Sequence, residues 1–196
     1  GTLIVSASAD VTLTVSNVGG FNASFITGTG LAAPFNFKGG TFPGTGGTCG
    51  AALGAGSSCS VVVTYAPSAA GTFSDTLDIG YVNGASSQTV SRAMQGLAVT
   101  PATLAISDGP TYDFGTFPSG ASTDKTFTVT NSGGTNATAV TGGGLASPFS
   151  YKGGSYPGTG GTCAATVNSG ASCTVVVTYA PVSIAAHSSS IDINYN

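Results

Sequence analysis

A chain of 196 residues with four Lys or Arg and seven acids carries only 6% charged residues and a formal charge of −3, against roughly a quarter charged in an average soluble domain. Four scattered cations cannot replace the counterions along a phosphate backbone, which excludes nucleic acid as a partner. No apolar run reaches the roughly 18 residues of a membrane span and no signal peptide begins at Gly1, while regularly spaced Val, Ile, Leu and Phe argue against disorder.

Val11, Leu13 and Val15 alternate with Thr12, Thr14 and Ser16, the period of a half-buried strand. Asn22 to Thr27 is a further strand candidate and opens on the glycosylation sequon Asn22-Ala23-Ser24. Lys38 then introduces a glycine-rich stretch holding Phe42 and the run Pro43 to Cys49. Next, Cys59, Val61, Val63 and Tyr65 share one face of a strand with Ser60, Val62 and Thr64 on the other, which turns one cysteine toward the core. Leu77, Ile79 and Tyr81 form another strand with Asp78 outward, and Ser87 to Met94 and Leu97 to Ser107 follow.

From there the chain repeats itself at a constant offset of 114 residues. Phe35 to Pro67 and Phe149 to Pro181 share 22 of 33 positions without a gap, and Phe127, Val129, Val175, Val177, Ile191 and Ile193 renew the strand pattern. Asn136 to Thr141 answers Asn22 to Thr27 and carries the second sequon at Asn136. Gly, Pro and Asn clusters separate the segments, and no stretch sustains a helical period. The expected fold is all-β: two tandem immunoglobulin-like antiparallel β-sandwich domains, residues 1–96 and 97–196. Aligned by the offset, the first lacks a first strand and the second a last strand. The expectation is excision from a longer run of repeats, or a sharper arrangement in which subunits donate strands head to tail. The short junction near Gly96 to Thr100 predicts a stiff pair.

Cys49 and Cys59 recur as Cys163 and Cys173 with the same spacing of ten. Four cysteines allow three pairings, and duplication favours pairing within each unit. A metal site is the rival, but two thiols per unit without a nearby His or a Cys-x-x-Cys fit it poorly. Disulfides imply an oxidising location.

The block Pro-Phe-x-(Phe/Tyr)-Lys-Gly-Gly-x-(Phe/Tyr)-Pro-Gly-Thr-Gly-Gly-Thr-Cys, the following Ser-Cys-x-Val-Val-Val-Thr-Tyr-Ala-Pro and the Asn-Val-Gly-Gly or Asn-Ser-Gly-Gly turns resemble the choice-of-anchor D repeats of bacterial secreted and surface proteins, relatives of the Ig-like modules named after ASPM and Hydin. The likeness covers essentially all of both copies. It implies an Ig-like sandwich in a large exported protein, often in tandem arrays, and no reaction.

Candidate chemistry is sparse. His187, the lone histidine, stands where the first copy has Phe73, which points to packing rather than catalysis. Asp75 and Asp78 read as solvated strand residues, since only Asp78 recurs, as Asp192. Asp108 and Asp113 flank the Gly109-Pro110 turn, which forms the turn or, with loop carbonyls, holds calcium between the domains. Lys38 and Lys152 recur in a charge-poor chain and are candidates for an intramolecular isopeptide bond, against a plain loop-covering role. The glycine loop has neither the Lys-Ser/Thr pair nor the following helix of a phosphate loop, and no cofactor is expected.

These residues point to a non-enzymatic structural repeat of a bacterial extracellular or cell-surface fibre or stalk, with neighbouring repeats or subunits of the same protein as partners. The alternative is an adhesin module that binds a glycan or a host surface protein through its loops, with Phe42 and Tyr156 as exposed contacts.

Overall fold

The computed structural model describes residues 1–196 as sixteen strands without a helix. They divide into two compact units, Gly1–Thr100 and Pro101–Asn196.

The first unit contains β1 (Thr2–Ile4), β2 (Ala9–Ser16), β3 (Ala23–Thr29), β4 (Phe35–Phe37), β5 (Ala52–Leu53), β6 (Ser58–Tyr65), β7 (Gly71–Val82) and β8 (Ser87–Val99). One sheet has the order β1-β8-β7-β3-β5 and the other β2-β6-β4. All pairings are antiparallel except β1 with β8, where Leu3 lies beside Ala98. Between the sheets, the alternating residues of β6 meet Phe35, Phe37, Leu77 and Ile79; Val61 and Val63 are fully buried. Full burial of a valine side chain contributes roughly 1.5–3 kcal/mol, which makes this strand the centre of the core. β8 runs through Gly96 to Val99, so the first unit extends to Thr100.

In the second unit the order is β9 (Leu104–Ile106), β10 (Thr123–Asn131), β11 (Ala137–Thr138), β12 (Thr141–Gly143), β13 (Phe149–Tyr151), β14 (Thr166–Val167), β15 (Ser172–Tyr179) and β16 (Asp192–Asn194). A sheet β13-β15-β10-β9 faces two short pairs, β11-β14 and β12-β16. The break between β11 and β12 has a local cause. Ala139 has φ 51°, and the matching Phe25 has φ 53° at a bulge in β3 between Ser24 and Thr27. A bulge leaves a residue out of the ladder and turns it outward; Phe25 is 76% exposed as a result. Phe127, Val129, Val175 and Val177 form the core against Tyr151.

In both units the glycine-rich segment lies along the edge of the central strand and continues the sheet where β4 or β13 stops. Lys38 N donates to Val62 O at 3.0 Å and Val62 N to Pro43 O at 2.8 Å; Lys152, Val176 and Pro157 repeat this at 2.9 and 2.8 Å. Gly44 and Gly158, at φ 88° and 89°, are required here, because a Cβ would sit 2.1 and 2.2 Å from the Val62 and Val176 carbonyl oxygens. Gly160 has φ 88° but faces open space. Gly158→Ala should therefore cost roughly 2 kcal/mol or more and Gly160→Ala about 1 kcal/mol, the backbone penalty alone. Urea unfolding of the two variants checks the difference.

Candidate functional site

Strand β6 carries Cys59 inward, and the glycine loop returns Cys49 to it: Thr48 N and Cys49 N both donate to Ser60 O, at 2.9 and 3.1 Å. That registration places the Cα atoms 4.8 Å apart, and Cys49–Cys59 and Cys163–Cys173 form one disulfide within each unit. Their presence fits a secreted or extracellular protein. No helix is long and apolar enough to cross a membrane.

Phe42 and Tyr156, expected as exposed contacts, are instead half-buried wedges. Phe42 meets Phe37 edge-on with centroids 5.6 Å apart, and Tyr156 meets Tyr151 at 5.5 Å. Their seat is a glycine. A Cβ on Gly28 would lie 2.2 Å from the Phe42 ring, and one on Gly142 2.1 Å from the Tyr156 ring. Burial first, then the neighbouring Tyr156 and Asp192, pushes the Tyr151 phenol up to about 12. These rings fix the loop against the opposing sheet.

Lys38 and Lys152 reach over the central strand to the strand on its far side, with Nζ 2.8 Å from Asp10 Oδ2 and 2.8 Å from Asp124 Oδ2. Thr64 and Thr178 hydroxyls donate to the other carboxylate oxygen at 2.6 Å in each copy. Lysine first and threonine second hold both carboxyls below the ordinary aspartate range. An ionised carboxylate is a poor acceptor of an amine, and no third acid hydrogen-bonds either partner, so each pair is an ion bridge across strands rather than an isopeptide precursor.

Asp108 and Asp113 do not converge on a cation. The Ser107 hydroxyl donates to Asp108 Oδ2 at 2.6 Å and Lys125 Nζ lies 3.1 Å from its Oδ1. Those contacts, Ser107 before Lys125, depress its carboxyl. Asp113 accepts from its own turn at Gly115 N, 2.7 Å. Lys125 also lies 4.3 Å from the centre of the Tyr112 ring. His187 Nδ1 is 3.2 Å from the Tyr179 hydroxyl and its Nε2 3.5 Å from Ser183; no carboxylate orients it. Asp75 caps a loop by accepting from Ala32 N at 2.7 Å, and Asp78 accepts from Ser91 on the adjoining strand. Both sequon asparagines are exposed, with Asn22 Oδ1 accepting from Ala55 N and Asn136 Oδ1 from Ser169 N.

Sequence reading missed the asparagine that precedes each Gly-Gly turn. Asn131 is fully buried; its Nδ2 donates to Thr135 O and Val167 O, at 2.8 and 3.0 Å, and its Oδ1 accepts from Gly133 N and Thr103 N. All of its hydrogen-bonding capacity is used. Asn17 makes the equivalent bonds to Phe21 O and Leu53 O. Each asparagine ties the end of one sheet to the loop leading to the other.

Residues 105–196 match the HYDIN/CFA65/VesB-like Ig-like domain. The match supports an Ig-like family for the second unit and agrees with its all-β sandwich. No curated protein matches the chain. Among solved structures, a protein of unknown function from Porphyromonas gingivalis W83 aligns with TM-score 0.39 and 10% identity, over 91% of this chain and 77% of that one. The secreted serine protease VesC from Vibrio cholerae aligns with TM-score 0.35 and 15% identity, over 100% and 48%. The class 5 fimbriae chaperone CfaA aligns with TM-score 0.29 and 13% identity, over 98% and 94%.

The three depressed carboxyls give a signed pH dependence. Their stabilisation is complete above the unfolded aspartate value of about 3.9 and disappears as pH falls through the lower folded values. Between pH 4 and 2, scanning calorimetry should show a steeper loss of Tm for the parent chain than for a Lys38→Met/Lys152→Met variant. As a second expectation, intact mass should equal the sequence mass less the hydrogens of two disulfides, with no further loss of water or ammonia.

Proposed function

We propose that this chain is a non-enzymatic structural repeat module of a bacterial extracellular fibre, stalk or surface protein, akin to the choice-of-anchor D repeats. The observation that carries the reading is duplication of the same mechanical features: each copy has its own valine core, its own glycine loop on the central strand and its own disulfide. A surface poor in charge supports close packing of like units, because little charge must lose its water when two copies meet. Lys38, Lys125 and Lys152 and the carboxylates of Asp10, Asp75, Asp78, Asp108, Asp113 and Asp124 are engaged in ion bridges, cross-strand hydrogen bonds, caps and turns, the behaviour of a scaffold.

The adhesin alternative has one observation in its favour. Phe21 and Phe25 of the first unit are 80% and 76% exposed, and the second unit has Thr135 and Ala139 in their places. A platform confined to one copy suits recognition of a glycan or a host protein better than identical loops do.

Electron microscopy of the native material tests the first reading: ordered fibres or stalks with a repeat of one or two domains are expected, and dispersed particles with no repeat would count against it. If a glycan array gives binding that Phe21→Ser/Phe25→Ser abolishes, the adhesin reading replaces it.

A further inference from the structure

Asn83-Gly84 is the one Asn-Gly step in the chain, and it lies in the turn that joins β7 to β8. The ladder closes at Val82 paired with Ser87, so Asn83, Gly84, Ala85 and Ser86 bridge the strands, all four of them exposed. This dipeptide suits strand-to-strand turns because both residues tolerate left-handed backbone; Gly84 has φ 93°. Asn83 N donates to Ser86 O at 3.1 Å and closes the turn on the backbone side.

The Asn83 side chain is held from the far side of that turn. Its Oδ1 accepts from Ala85 N and from Ser86 N, each at 3.0 Å, so two backbone N–H groups polarise the same carbonyl. The carboxamide is thereby folded forward along the chain, past the intervening Gly84. An oxygen held between two N–H donors is the arrangement that stabilises the negative charge of a tetrahedral adduct. Gly84 supplies the nucleophile: its N–H engages no acceptor, and without a Cβ it leaves the approach of that nitrogen to Asn83 Cγ uncrowded. Other asparagines lack one of these parts. Asn17 and Asn131 precede Val18 and Ser132 and commit Nδ2 to two carbonyls each. Asn22 and Asn136 precede alanines, and their Oδ1 atoms accept from Ala55 N and Ser169 N, far along the chain.

We propose that Asn83 is a self-modification site, at which the turn promotes its own deamidation. Solvent base removes the Gly84 N–H proton, the nitrogen attacks Asn83 Cγ, and the Cγ–Nδ2 bond breaks with uptake of a proton, releasing ammonia and leaving a succinimide. Water then opens either ring C–N bond. Opening at the side-chain carbonyl restores the main chain with an aspartyl residue, and opening at the backbone carbonyl routes the main chain through the side chain as an isoaspartyl residue. Both products add a negative charge to a chain of formal charge −3. An aspartyl carboxylate accepts from Ala85 N and Ser86 N more strongly than the amide does, so that product keeps the turn. The isoaspartyl product lengthens the main chain by a methylene and takes the carboxylate off those donors, which loosens the Val82–Ser87 end of the ladder. The inference holds equally for a scaffold and for an adhesin.

Ageing the freshly purified full chain in mildly alkaline buffer, followed by peptide mapping, tests it. A gain of about 1 Da is expected on the peptide holding Asn83, with isoaspartate at that position, a rate that rises with pH, and Asn22, Asn136 and Asn168 unchanged over the same time. Gly84→Ala should slow conversion about tenfold or more; a Cβ there would lie 3.9 Å from Phe21, an ordinary contact that leaves the variant room to fold. The folded chain should convert at least as fast as the same chain reduced and unfolded in urea, because only the folded turn holds two donors on Oδ1. In the isoaspartyl fraction, hydrogen exchange should show protection lost at Val82 and Ser87. No conversion at Asn83, an equal rate in Gly84→Ala, or slower conversion in the folded than in the unfolded chain would overturn the inference.

Discussion

Everything in each unit hangs on how the glycine loop docks along the central strand. An interior strand must satisfy backbone groups on both edges, and β4 and β13 supply only three residues of the second edge. The loop provides the rest through Pro43, Thr48 and Cys49 or their counterparts, and it approaches so closely that only glycine fits at 44 and 158. Once docked, the loop sets the disulfide, seats Phe42 or Tyr156 on the opposing glycine and carries Lys38 or Lys152 over the central strand to the aspartate on its far side. A single backbone contact thus organises covalent, aromatic and ionic features that are remote from one another in character.

The buried asparagine is the polar complement of that arrangement. A neutral amide with every donor and acceptor satisfied inside a sandwich costs little and specifies much, because any shift of the flanking turn leaves it unpaired. Asn131 reaches one partner more than Asn17, through Thr103 N. That extra bond brings the segment leading into β9 against the end of β10, where Leu104 and Ile106 shield the core; Phe127 and Val129 are 4% and 0% exposed, while the matching Leu13 and Val15 are only partly buried. Identical strand chemistry therefore reaches different burial according to which neighbour covers it.

Much of the fold was legible because a two-residue period survives in the charge-poor background: Val11 to Val15, Cys59 to Tyr65 and Leu77 to Tyr81 lie on strands with the faces their alternation implies, and each cysteine pairs within its unit. Less was legible where a residue's environment is made by distant chain. Phe42 and Tyr156 read as exposed because they sit among glycines, yet Gly28 and Gly142, far upstream, form the hollows that receive them. Asp108 read as a turn or cation residue until Lys125 closed on it from the neighbouring strand. Asn131 was hidden by its own context, since Asn before Ser-Gly-Gly signals a turn whether it faces water or the core.

The disulfides also govern how far an unfolded unit can extend. A chain reaches at most about 3.3–3.6 Å per residue, and the cross-link holds cysteines ten residues apart at a Cα separation of 4.8 Å. Each unit thereby withholds roughly 30 Å of contour length under tension, a reserve that a reductant releases without breaking a peptide bond.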